Sequence, residues 1–185
     1  MTTSARPTHA AIIGRWRPVH LGHQAALHAL CEQFDHVSIG IGSSNIYDYR
    51  NPFTLEEVIE MLQLTLIGYS NYQLFPIPDT PDEDEWRRSA REALGEPDLL
   101  VTANPYVRAI LKGVWPIAHP VDFIPAERRV PVSGSLLRRQ LAAGQDWQHL
   151  VPPEIARYLN KNHLDRRFRA EFGLQTLALD AIIIS

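Results

Sequence analysis

A single cysteine, Cys31, stands in 185 residues. No internal disulfide is therefore available, and the thiol reads as a small buried hydrophobe in a reducing compartment. No apolar run approaches the roughly 20 residues of a bilayer span, and Met1 to Thr8 lack the apolar core of a signal peptide. A cytoplasmic protein without a membrane partner is the expectation. Strong charge of either sign is also missing: the formal net charge is −3, which argues against binding a nucleic-acid polymer. No G-x-x-x-x-G-K-[ST] occurs, which excludes a P-loop NTPase, and no G-x-G-x-x-G follows the first strand-like run, so a dinucleotide oxidoreductase has little support. The chain shows no cysteine pair and no third suitably spaced ligand beside its histidines, so no resident metal is expected. Repeats and low-complexity tracts are absent too. What remains is one domain with room for a substantial core, with or without an appendage, at an ordinary 45% hydrophobic and 21% charged residues.

The informative stretch is Gly14-Arg15-Trp16-Arg17-Pro18-Val19-His20-Leu21-Gly22-His23. It lies between a short apolar run, Ala10 to Ile13, and a helix-like stretch, Gln24 to Phe34, where an alternating strand/helix fold places its first loop. A helix beginning near Leu21 points unpaired N–H groups and the positive end of its dipole at the loop, an address suited to an anion. Gly22 leaves room for close approach, and His20 and His23 each carry a donor for a phosphate oxygen. Taken alone, the pair also fits two ordinary loop histidines.

Four further strand-like runs follow: His36 to Gly42, Tyr72 to Ile77, Asp98 to Thr102 and Val121 to Pro125. Between them lie helical signals. Thr54 and Glu57 have capping-box spacing ahead of an apolar face, Asn104-Pro105 opens a helix with proline at its first position, and Ser133-Gly134-Ser135 leads into a helix that Gly144 ends. Another helix starts at Pro152-Pro153. This alternation predicts an α/β fold, a Rossmann-like five-stranded parallel sheet with helices on both faces. Loops at Gly14, Gly42, Asp79, Thr102 and Ser133 leave strand carboxyl ends, where open α/β sheets bind ligands. Ser43 and its neighbours also suit a plain turn.

Several of these stretches resemble, in order and spacing, the archaeal-type nicotinamide-nucleotide adenylyltransferases of the HxGH nucleotidyltransferase superfamily. They are the glycine–histidine stretch, Arg50-Asn51-Pro52-Phe53-Thr54, the Trp86 region, Asn104-Pro105, and Ser133-Gly134-Ser135-Leu136-Leu137-Arg138-Arg139. The similarity covers roughly residues 10 to 160. It implies condensation of ATP with nicotinamide mononucleotide to give NAD and pyrophosphate, with Mg²⁺ accompanying the ATP. It implies that His20, His23 and Arg138 act on the triphosphate, with the larger catalytic share on His23. Gly14, Arg15, Gly22, Ser43, Arg50, Asp79, Trp86, Asn104, Ser133 and Ser135 would line the two nucleotides, Trp86 as a surface for the nicotinamide ring. A tryptophan at such a position is otherwise a core or cover residue, and Arg50 is otherwise a surface charge.

Arg17 stands where relatives carry Gln, and three readings are open for it: tighter phosphate binding, an altered mononucleotide preference, or a solvent-facing side chain. Two other functions stay in view. One is a sister transferase acting on pantetheine phosphate or a small alcohol phosphate, and the other is a sensor that binds nucleotide without turnover. A homo-oligomer is left open, since no interface can be read. The chain also resembles the N-terminal domain of bacterial adenylyltransferase/Nudix fusions. Residues 1–165 are expected to form the transferase domain and 166–185 a C-terminal tail. Within the tail, Thr176 to Ile184 reads either as a remnant of a first Nudix strand or as a native closing strand. No Nudix box follows it.

Overall fold

A computed structural model describes residues 8–184, with side chains to residue 179. The chain divides into two compact units. One gathers the stretch up to Gly14, Ala26–Asn45 and Gly68–Arg128, and the other Arg15–Ala25, Ile46–Ile67 and the stretch from Arg129 onward.

The first unit holds the five strands found among the described residues: β1 (His9–Gly14), β2 (His36–Gly42), β3 (Tyr72–Ile77), β4 (Leu99–Val101) and β5 (Ile117–Ala118). They form one sheet in the order β3-β2-β1-β4-β5, and every pairing is parallel. β1 pairs Ala10 with Val37 on one side and with Leu99 on the other. The order therefore reverses between β1 and β4, the switch point at which open α/β sheets take ligands. Near-continuous burial along β1 and β2 is what an interior parallel strand requires. The Asp98 carboxylate ties down the start of β1 by accepting the N–H groups of Thr8 (2.8 Å) and His9 (3.0 Å).

Two further helices belong to this unit, α3 (Glu83–Leu94) and α4 (Pro105–Ile110), and α1 (Leu21–Gln33) enters it at Ala26. Asp82 caps α3 through the N–H groups of Asp84 and Glu85, and Gly95 ends it at φ 72°. The core joins Ile13, Ile77, Trp86, Ala90, Leu94, Leu100, Val107, Ile110 and Trp115. At Gly40 in β2 a Cβ would sit 2.7 Å from Ile77 Cδ1 and 3.1 Å from Ile13 Cγ1, so those core side chains would have to shift to admit one.

The fifth strand differs from the sequence expectation of Val121 to Pro125. The strand is Ile117–Ala118, pairing with Leu100 and Val101, and Pro120–Asp122 is a single 3₁₀ turn. The cause is local. The His119 ring accepts the N–H of Val121 and the Asp122 carboxylate accepts the N–H of His119, a reciprocal cap that closes the turn.

The second unit contains α2 (Leu55–Thr65), α5 (Gly134–Ala143), α6 (Pro153–Lys161) and α7 (Leu164–Ile184). The expected capping box of α2 is present, with Glu57 N–H on Thr54 Oγ1 (3.3 Å) and Thr54 N–H on Glu57 Oε2 (2.9 Å). Ser133 caps α5, and Gly144 ends it in the left-handed region at φ 67°.

The tail is a correction. Thr176 to Ile184 is the end of helix α7 and not a strand, and the expected boundary at 165/166 falls inside that helix. Leu164, Phe168 and Thr176 recur at multiples of four residues and are buried, which is the period of a helix face. The helix runs on through Ile182-Ile183-Ile184 in spite of their β preference. α7 packs on α5, and Arg169 Nε donates to the Leu141 carbonyl at 3.1 Å.

Candidate active site

The loop leaving β1 is buried where it bends. Trp16 is nearly inaccessible and sits at φ 57°, a backbone region that bulky side chains rarely adopt. Arg17 is 2% exposed, so the solvent-facing reading does not hold. Its Nη1 donates to the Ile46 carbonyl at 3.4 Å, and its own carbonyl accepts from Arg138 Nη1 at 3.2 Å.

At the end of this loop the two histidines form a helix cap. His20 precedes α1, and its carbonyl accepts the N–H of Gln24 at 3.0 Å, the first bond of the helix. His23 N–H donates to His20 Nδ1 at 3.2 Å, and His20 N–H donates to His23 Nδ1 at 3.4 Å. This is the capping box with imidazoles in place of Thr and Glu. The rings stack at 3.5 Å between centroids and 14° between planes, and Trp16 packs edge-on against His23 at 4.9 Å. Because each Nδ1 lone pair is occupied by a backbone N–H, the proton of each neutral ring sits on Nε2. Both rings are held neutral. Burial, reinforced by the Arg138 charge, brings His20 down from 6.5 to about 4. Burial, then His20 and Arg138, hold His23 well below its ordinary value. The result is two oriented N–H donors with no proton to lose near neutral pH.

Arg138, whose charge acts on both rings, also lines a cavity of about 280 Å³ together with Arg15, Tyr49, Arg50, Ser135, Thr176 and Leu179; neither histidine is in its wall. Four of the residues expected from sequence to bind substrate thus meet in one place. Arg138 Nη2 also reaches Ser135 Oγ at 3.5 Å. Ser133 Oγ is engaged in accepting the Leu136 N–H at 3.2 Å. Gly22 is justified sterically: a Cβ would lie 3.3 Å from His20 Cε1 and Nδ1 and from Val132 Cγ1. Three guanidinium groups around one cavity, with hydroxyls between them, suit a polyanion.

The remaining expected residues belong to the sheet-bearing unit. Gly14 ends β1, and Ser43 follows β2, buried at φ 53°. Asp79 follows β3, where the Asn45 side chain pairs with its backbone in both directions, at 2.8 and 3.0 Å. Asn104 caps α4 by accepting the Tyr106 N–H at 3.0 Å. Trp86 is 5% exposed and packed in the core. Sequence reasoning missed Tyr49, Thr176 and Leu179 in the cavity wall. Tyr49 adjoins the flagged Arg50, whereas Thr176 carries no signal beyond its place on the α7 face.

Residues 11–140 match the cytidylyltransferase-like family. Nicotinamide-nucleotide adenylyltransferase of Methanocorpusculum labreanum is 31% identical over 154 residues, 82% of this chain and 89% of that one. The enzyme of the same name from Thermococcus kodakarensis is 32% identical over 156 residues, 80% of each. The chain belongs to the nicotinamide-nucleotide adenylyltransferase family. The fold agrees: a bifunctional NMN adenylyltransferase/ADP ribose pyrophosphatase from Francisella tularensis superposes with a TM-score of 0.75 at 16% identity, over 96% of this chain and 56% of that one. This member of the adenylyltransferase family thus spans little more than half of that protein. A second structure of the same protein, complexed with AMP and a Mn ion, gives 0.71 at 18% identity.

Among the described residues no group of three or more His, Cys, Asp or Glu is placed to hold a metal ion. None of the helices they form is long and apolar enough to cross a membrane.

Proposed function

We propose that this protein joins ATP and nicotinamide mononucleotide to give NAD and pyrophosphate. A phosphate oxygen of the mononucleotide forms a bond to the α-phosphorus of ATP. The bridging bond to the β-phosphate breaks, and pyrophosphate leaves with the electron pair. The nucleophile is already anionic, so the site needs no general base; it needs alignment and charge stabilisation.

The observation that carries this reading is the histidine cap. Two Nε2–H donors fixed by the backbone stabilise charge on the α-phosphate of the transferring adenylyl group without rearranging during the reaction, His23 taking the larger share. Arg138 neutralises the outgoing pyrophosphate, while Arg15, Arg50, Ser133 and Ser135 hold the phosphates. Gly14, Gly22, Ser43, Asp79 and Asn104 complete the nucleotide contacts. Mg²⁺ enters as the ATP complex, coordinated by phosphate oxygens and water, as this ion prefers. The protein works in the cytoplasm, in keeping with its single buried thiol.

Incubation with Mg²⁺, ATP and nicotinamide mononucleotide is expected to yield NAD and pyrophosphate in equal amounts. Pyrophosphate release with phosphopantetheine or a choline-type phosphate, and none with nicotinamide mononucleotide, overturns the substrate. Binding of ATP without turnover of any of these points to the sensor reading.

A further inference from the structure

We infer that α7 is a positioning element of the nucleotide site, and that Arg167 is its pin. The chain that brings Tyr49 and Arg50 to the cavity is a tight turn. Asp48 and Asn51 exchange backbone hydrogen bonds at 3.2 and 2.9 Å, and the Asp48 carboxylate accepts the N–H groups of Arg50 and Asn51. Tyr49 and Arg50 stand at its tip, the guanidinium 5.3 Å over the tyrosine ring. A turn of this size fixes its own shape but not its direction.

The direction comes from α7. The Arg167 guanidinium holds both oxygens of Glu57, at 2.6 and 2.7 Å, and its Nη2 also donates to the Pro52 carbonyl at 3.2 Å. Glu57 Oε2 is the same atom that receives the Thr54 N–H. One guanidinium therefore fastens the cap of α2 and the backbone two residues beyond Arg50. On the other side of the turn, Tyr47 donates to the Glu171 carboxylate and packs edge-on against Phe172 at 5.4 Å. Between these ties, Phe53 stacks on Phe168, both fully buried. Successive residues on one face of α7 thus grip the chain before and after the Arg50 turn, and the same face continues to Thr176 and Leu179 in the cavity wall.

Arg167 touches no expected ligand position, so its effect must pass through Arg50. This inference rests on the proposed nucleotide site, and a double-mutant cycle tests it. Arg50→Ala is expected to raise the KM of one nucleotide by about tenfold, and Arg167→Met to raise the same KM by about three- to tenfold with kcat within about twofold. In the double variant the second substitution is expected to add less than about twofold, because both remove one function. Arg167→Lys restores part of the loss. Glu57→Gln retains the cap but removes the charge, and it serves as the second variant should Arg167→Met fold poorly. Hydrogen exchange of the amides in residues 46–53 is expected to quicken in these variants while the strands keep their protection. Multiplicative KM effects, a wild-type KM in both Arg167→Met and Glu57→Gln, or faster exchange across the whole chain overturns the inference. If the parent protein turns over no nicotinamide mononucleotide, the functional reading fails separately, and the same cycle is read from the dissociation constant of Mg·ATP by calorimetry.

Discussion

The histidine cap ties stability and protonation to the atoms on which the proposed chemistry rests, and His20 is where the three can be separated. In the unfolded chain its ring titrates at the ordinary 6.5, and in the folded protein at about 4. Between these values the unfolded state binds the extra proton, so this contribution is complete above pH 6.5 and is lost as pH falls toward 4. The shift corresponds to about 3 kcal/mol. His20→Asn removes the titrating group but leaves a side chain that accepts the His23 N–H, since Asn is among the best N-caps, whereas His20→Ala removes the acceptor as well, at about 1 kcal/mol. The stability of the parent relative to His20→Asn, from urea unfolding, is therefore expected to fall by about 2–3 kcal/mol between pH 7 and pH 4.5. At pH 7, His20→Ala is expected to lie about 1 kcal/mol below His20→Asn. Turnover falls in both by about 10²–10³, because both lack the Nε2–H donor. A parent-to-Asn gap that stays constant with pH refutes the buried neutral ring. Equal stability of the Ala and Asn variants refutes the cap.

Two further substitutions separate packing from ligand contact. Trp86→Ala empties a core position and is expected to lower stability by about 3–5 kcal/mol, measured by urea unfolding. Unchanged stability with a selective rise in KM for nicotinamide mononucleotide instead makes the ring a substrate surface. Arg138→Lys keeps the charge but loses the planar fork; it is expected to lower kcat/KM for ATP by at least about tenfold with little change in thermal stability, and an unchanged kcat/KM removes Arg138 from triphosphate binding.

What could be read from the sequence was local, and what could not was long-range. Thr54, Asn104, Ser133 and Gly144 announce their caps because the donor and acceptor lie within four residues of each other. His20 and His23 have the same offset, and the helix start near Leu21 was visible. That the imidazoles themselves are the capping groups becomes visible only when Nδ1 is counted as a cap acceptor. The two-residue β5, by contrast, has no period to detect, and Val121 and Phe123 form a more apolar run inside a capped turn. The C-terminal segment carries two contradictory signals, three β-branched residues at its end and a four-residue spacing from Leu164 to Thr176, and the helix runs through both. Arg15, Arg50, Ser135 and Arg138 were each recognisable from their own motif. Nothing local places Thr176 beside them, since that juxtaposition depends on where α7 packs.

The reciprocal cap also explains why a glycine separates the histidines, and Gly22→Ala tests the explanation. Two effects of the added methyl oppose each other. Within the first turn of a helix, alanine is favoured over glycine by up to about 1 kcal/mol. The new Cβ, however, lies 3.3 Å from the Cε1 and Nδ1 atoms of His20 and from Val132 Cγ1, closer than ordinary carbon contacts. Something must give by a few tenths of an ångström, and the His20 ring is the neighbour whose displacement matters: it disturbs the bond to His23 N–H and re-aims Nε2. A misplacement of 1 Å can cost about 10² in rate, so a smaller one is expected to cost about tenfold in kcat. Gly22→Ala should therefore keep or gain thermal stability while losing kcat, and ¹⁵N spectra should show a changed His20 imidazole. Full kcat with an unchanged imidazole spectrum would mean that Val132 yields instead, and the glycine would then owe its place to something other than the ring it spares.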